Sequence, residues 1–194
     1  MQKIGTIKLI QIQRDSMKTY ENGERIYRPD SLLTVDKLLL TSEGIMGIPL
    51  SGEEIIDVHH VKHPQSRFRG DNKISFGFTQ HYQRMCERFG DHIVEGAGGE
   101  NMIIEANSDI SKLDYKRRFF IQHQAEESLI ELTNIIPAPP CREFSVFCLQ
   151  VPQCQDDIKA ALQFLDNGTR GYYAELLEND RPCFVQTGDT LFIA

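Results

Sequence analysis

The chain has 194 residues, 40 % of them hydrophobic and 25 % charged, with a formal net charge of −7. That is the make-up of an ordinary globular chain, and we read it as one domain spanning 1–194. No run of about 18 apolar residues occurs, so no helical membrane span is expected, and the absence of any basic block argues against a nucleic-acid partner.

The opening residues, Met1 to Ile7, lack the apolar run and cleavage site of a secretory leader and read as a first strand. The cysteines are Cys86, Cys141, Cys148, Cys154 and Cys183: an odd number, with no CxxC. This usage points to a reducing cytoplasm and away from a thioredoxin-type pair or a zinc knuckle.

In chain order, Lys3 to Gln13 alternates loosely and predicts a strand. Arg14 to Ser31 is polar, with Asn22-Gly23 and Pro29 as turn signals, and reads as a long loop or a hairpin. Leu38 to Thr41 is a short strand. Ser42 to Pro49 reads as a turn-rich connection. Glu54 to Val58 is a strand delivering His59 and His60 into a polar loop that carries Lys62, His63, Arg67 and Arg69. The clearest helix is Thr79 to Phe89. Phe78, Tyr82, Met85, Cys86 and Phe89 repeat at helical spacing, with Thr79 as cap and Gly90 as terminator.

Gly96, Gly98 and Gly99 precede a strand-like Glu100 to Glu105. The spacing fails the GxGxxG fingerprint, and the glycines read as positions of close backbone approach or positive φ. Arg117 to Gln122 and Ser128 to Ile136 are strands. Phe144 to Val151 reads equally as a strand or a buried helical turn. Asp156 to Leu165 is a helix closed by Asn167-Gly168, and Arg170 to Leu177 is a strand. Phe184-Val185 and Thr190 to Ile193 flank Gln186 to Asp189 and predict a closing hairpin. Many short strands, short helices and glycine-rich turns predict a mainly β (α+β) fold, a closed or partly open β-barrel with a few short helices.

The candidate chemistry centres on Pro137 to Ser145. Three prolines within four residues lead into Cys141, followed at once by Arg142. Proline fixes φ and donates no ladder bond, so the stretch reads as a stiff loop presenting one thiol beside a cation. Glu100 and Asn101 are candidates to fix a polar ligand, with the Gly99 backbone as an anion donor. His59 or His60 is a candidate proton donor or ligand contact. Arg170 is a candidate fork for phosphate or carboxylate. Cys148 and Cys154 are candidate relay thiols. Cys183, after Arg181-Pro182, reads as incidental.

Four local patterns together resemble the MOSC family, named for the C-terminal domain of molybdenum cofactor sulfurases: His59-His60 before a polar loop, Gly99-Glu100-Asn101 opening a strand, Pro140-Cys141 after an apolar strand, and Gly168 to Ala174 followed by Val185 to Asp189. They span about residues 36–194 in the family's order. Ala138 stands where family members often carry arginine. The resemblance implies a β-barrel that handles sulfur or the molybdenum cofactor through Cys141. The thiol would serve either as a persulfide carrier or as a possible molybdenum ligand in a reductase of N-hydroxylated compounds. It implies as partner a cysteine desulfurase, which would hold the pyridoxal phosphate, or a separate reductase. The alternative is a non-catalytic module binding a small anionic ligand, with Cys141 inert.

Overall fold

The computed structural model describes residues 1–123, 128–151, 154–177 and 183–194. Arg181-Pro182 lie outside the described residues. The strands are β1 (Gln2–Gln13), β2 (Lys18–Glu21), β3 (Glu24–Tyr27), β4 (Leu32–Thr34), β5 (Lys37–Thr41), β6 (Gly44–Ile48) and β7 (Ile55–Ile56), then β8 (Ile74–Phe78), β9 (Met102–Ala106), β10 (Phe119–Gln122) and β11 (Leu129–Pro137), and last β12 (Tyr172–Leu176), β13 (Cys183–Val185) and β14 (Thr190–Ile193). The helices are α1 (Thr79–Phe89), α2 (Arg142–Leu149) and α3 (Gln155–Leu165). No helix of the described residues is long and apolar enough to cross a membrane.

Seven strands close into a barrel in the order β14, β10, β11, β12, β8, β9, β1, with β1 returning to β14. This is the predicted barrel with few short helices. Every pairing in the ring is antiparallel except β8 with β9, which run parallel because α1 lies in the connection between them. Closure leaves no free edge in the ring. β4 pairs with the far end of β1 outside the ring, and a smaller sheet, β13, β5, β6, β7, and the separate β2–β3 hairpin complete the described strands.

Two apolar clusters form. Ile4, Ile10, Phe76, Phe78, Phe119, Leu191 and Ile193 belong to the barrel interior. Tyr82, Met85, Ile93, Phe144, Cys148 and Leu165 form a second cluster with the helices and Tyr27. Fully burying each large apolar side chain contributes about 1.5–3 kcal/mol.

Several expectations are corrected. Ser42 to Pro49 is no mere connection: Gly44–Ile48 pairs with Lys37–Thr41 as a hairpin. The strand expected at Glu54 to Val58 is only Ile55–Ile56. Ile74–Phe78, which shows no expected strand signal, is the barrel strand β8. Its Ile74, Phe76 and Phe78 enter the barrel core while Ser75 and Gly77 face outward, yet all five are buried because the outer face is covered too. Phe144 to Val151 resolves as helix α2. Thr79 is the first helical residue, not the cap; the cap is Phe78, whose N–H donates to His81 Nδ1 at 3.3 Å. The closing strands do not pair as a hairpin. β13 joins β5, whereas β14 joins β1 and β10. The proline run does not stop the sheet at its first residue, since Pro137 still sits opposite Tyr172 in β11.

Candidate functional site: a cationic pocket at the barrel mouth

The sheet's period of two decides what faces the site. On β8, the outward Ser75 and Gly77 lie against Asn101 and Glu100. At the end of β1, Gln11 Nε2 donates to Gly96 O at 2.8 Å and to Glu100 O at 2.9 Å, and Gln13 Nε2 donates to Gly99 O at 2.8 Å. These bonds pin the glycine-rich segment across the barrel mouth.

Beside that segment is a cavity of about 420 Å³, within the range of small-molecule sites. Five cations line it, Lys18, Arg25, Arg67, Arg69 and Arg170, against one carboxylate, Glu100. In a chain of net charge −7, this concentration of positive charge makes a local field that favours anions. Lys18 and Arg25 come from the β2–β3 hairpin, tethered by Tyr27 Oη donating to Ala97 O at 2.7 Å. Both approach Glu143 of α2, at 3.5 Å and 3.4 Å. Arg67 and Arg69 are exposed and have no ion pair among the described residues. Buried Asn72 holds their loop, accepting from Arg69 N at 2.8 Å and donating to Arg67 O at 3.1 Å.

Arg170 enters just before β12. Its Nη2 donates to Gly98 O at 2.8 Å, and its guanidinium lies 5.5 Å from the centre of the Phe144 ring. Its Nε is buried without a partner among the described residues. Glu100 is 4 % exposed. Its Oε2 accepts from Tyr82 Oη at 2.5 Å, and its Oε1 is likewise buried without a partner. Burial pushes the Glu100 carboxyl above its usual range, partly opposed by Arg170 and Tyr82. Glycines make room for this carboxylate: a Cβ at Gly98 would lie 2.8 Å from Oε1, and one at Gly171 3.2 Å. Gly171 also has φ +108°, a conformation that disfavours any side chain.

Asn101 does not line the cavity. It is 3 % exposed and locked on both sides. Oδ1 accepts from Ser75 N at 3.0 Å and Ser75 Oγ at 2.8 Å, and Nδ2 donates to Gln11 O at 3.3 Å and Asp57 Oδ2 at 3.1 Å. Asp57 therefore joins the network, and it is a residue the sequence reading missed. Its Oδ1 accepts from His59 N at 2.8 Å and meets His59 Nδ1 at 2.9 Å. His59 lines the cavity; its neighbour His60 does not. His60 is buried, with Nδ1 accepting from Lys62 N at 3.1 Å, and burial pushes its pKa below the usual value.

Cys141 is half-buried at the N-cap of α2 and packs on the second cluster. It is not among the lining residues, whereas Ala138 is. Arg142 is exposed on α2 and makes no hydrogen bond or ion pair among the described residues. The nearby cation is Arg170 instead, whose charge feels Cys141 among its neighbours. Cys148 is buried, and desolvation pushes its thiol up to about 12; Cys154 is exposed at the start of α3. The structure thus brings His59, Gly99, Glu100 and Arg170 to one cavity, sets Cys141 beside it, and turns His60, Asn101 and Arg142 elsewhere. Lys18, Arg25, Arg67 and Arg69 were missed because only the tertiary fold gathers them; the spacing Asp57-x-His59 was the one local signal available.

Among the described residues no group of three His, Cys, Asp or Glu side chains is placed to hold a metal ion. No family model matches the chain, and no curated protein matches it in sequence. Similar solved structures include the YUAD protein from Bacillus subtilis, covering 97 % of this chain and 94 % of its own at 16 % identity, with a TM-score of 0.59. A hypothetical protein covers 99 % and 69 % at 17 % identity, TM-score 0.55. YiiM from Geobacillus stearothermophilus covers 100 % and 74 % at 17 % identity, TM-score 0.50. At these identities the likeness is one of fold alone.

Proposed function

We propose that the protein binds a small phosphate-bearing anion at the barrel mouth and uses Cys141 beside it in sulfur or molybdenum-cofactor chemistry. The observation that carries the reading is the gathering of five cations around one cavity, two of whose lining residues, Arg170 and Glu100, each hold a buried polar atom, Nε and Oε1, with no partner among the described residues. Buried polar atoms without partners are costly, and a ligand offering both an acceptor and a donor would satisfy them. The cations fit the phosphate of a molybdenum cofactor, with Arg67, Arg69 and Arg170 as its holders. When bound, that group supplies two-electron chemistry at its metal. This chain supplies the cradle, and the Cys141 thiol at the positive end of α2.

The test is calorimetric titration with inorganic pyrophosphate, with Arg170→Met as the variant. Losing a charge-assisted fork contact costs about 1.5–3 kcal/mol, so the affinity should fall roughly 10- to 100-fold. Absence of pyrophosphate binding to the unaltered protein would overturn the reading. Iodoacetamide labelling at mildly acidic pH then addresses the thiol: Cys141 should react faster than Cys154, the exposed reference.

A second reading keeps the pocket and leaves Cys141 inert. It is favoured by Ala138, not Cys141, facing the cavity. Equal labelling of Cys141 and Cys154 would select it.

A further inference from the structure

The Asp57–His59 pair is more than a loop restraint, and its protonation pattern follows from counting hydrogen bonds. Asn101 Oδ1 accepts from the Ser75 backbone N–H, which can only donate, so the amide orientation is fixed and Nδ2 faces Asp57. Asp57 Oδ2 therefore takes two donors, Asn101 Nδ2 at 3.1 Å and the Gln13 backbone N–H at 2.8 Å. Oδ1 takes the His59 backbone N–H at 2.8 Å. A carboxylate that is 1 % exposed and surrounded by donors is held as an acceptor. The remaining contact, His59 Nδ1 at 2.9 Å, then has the proton on the ring. His59 is the Nδ1–H tautomer, and its lone pair is on Nε2.

His59 lines the cationic pocket and keeps 17 % of its side chain exposed. A bare lone pair is an odd fitting in a pocket otherwise rich in donors. It becomes a good fitting once it carries a proton. The charges that share the cavity with the ring are Arg67 and Arg69 from its own loop, Lys18 and Arg25 from the hairpin, and Glu100 and Arg170 from the barrel mouth. A multivalent anion held among these cations would place negative charge beside the ring, while Asp57 Oδ1 lies behind it, 2.9 Å from Nδ1.

We infer that Asp57 and His59 are the proton-carrying pair of this pocket: His59 Nε2 takes a proton from solvent as the anion enters and holds it against a ligand oxygen. Asp57 is the positioning residue. The step forms one N–H bond and involves no electron transfer. The inference rests on the anion-binding reading, and the experiment separates the two.

Pyrophosphate is titrated into the unaltered protein and into His59→Gln at about pH 7.5, in buffers of differing ionisation enthalpy. The remaining cations keep the variant binding, and the unaltered protein should take up up to one proton more than the variant. Equal proton counts with binding intact would overturn the inference and leave the anion reading standing. No binding to either protein would overturn both. Nitrogen-15 spectra of the His59 ring at alkaline pH, without ligand, give a second readout. They should show a protonated Nδ1 and a bare Nε2, and Asp57→Asn should shift the population toward Nε2–H. The opposite tautomer in the unaltered protein would overturn the assignment.

Discussion

Replacing Asn101 by alanine distinguishes a structural latch from a ligand contact. The side chain makes four hydrogen bonds, two at Ser75, one at Gln11 and one at Asp57. In the variant, Ser75 Oγ still meets Asn101 N at 3.0 Å and Asp57 Oδ2 still accepts from Gln13 N at 2.8 Å. The Ser75 N–H and one side of Asp57 Oδ2 lose their partners. Each buried group so orphaned costs about 1–3 kcal/mol, and with the small void left behind the expected loss is about 3–5 kcal/mol. That is a large share of the roughly 5–15 kcal/mol that holds a domain folded. Urea unfolding followed by circular dichroism measures it, and the midpoint should drop sharply with the slope unchanged. Because Asn101 does not line the cavity, pyrophosphate affinity of the folded variant should stay within about threefold, under 1 kcal/mol. A stability loss below about 1 kcal/mol together with a tenfold or greater loss of affinity would refute the latch and make Asn101 a ligand contact.

Two further outcomes are expected. Burial raises the Glu100 carboxyl in the folded chain, so between the ordinary carboxylate value and the raised one the folded state holds more protons than the unfolded state. Stability is then fully present below the unfolded value and declines as pH rises through that window. Glu100→Gln should flatten this decline in urea melts taken across the acidic to neutral range, and a variant difference independent of pH would disprove it. Gly171→Ala places a Cβ 2.8 Å from Phe76 O at φ +108°. It should cost about 1–3 kcal/mol from backbone strain alone, read as a lower Tm, and an unchanged Tm would sink the close-approach argument.

Local signals account for what was legible. The helix at Thr79–Phe89 has one apolar stripe and a glycine stop, so period and terminator agree. The hairpin hidden in Arg14 to Ser31 turns at Asn22-Gly23, where both residues take positive φ. The failures share a cause. Ile74–Phe78 is short and buried on both faces, so it shows no alternation in polarity. Phe144 to Val151 is short and apolar, where period alone does not separate strand from helix. The supposed closing hairpin obeys its turn, with Gln186 N donating to Asp189 Oδ2 at 2.8 Å, but its two arms enter different sheets.

By itself, the sequence determined a chain of short strands with short helices, a barrel expected from the pattern of turns, and a set of polar positions, His59, Glu100, Cys141 and Arg170, worth following. Those features depend on neighbours a few residues apart, where spacing and turn chemistry act. The tertiary structure alone decided which of them meet. Pairing of β1 with β9 brings segments 89 residues apart into contact at Gln11 and Glu100, and the fold gathers Lys18 and Arg25 from a hairpin, Arg67 and Arg69 from a loop and Arg170 from just before β12 around one cavity. It also set Cys141 beside that cavity instead of within its wall, because α2 begins there and turns the thiol toward the second cluster.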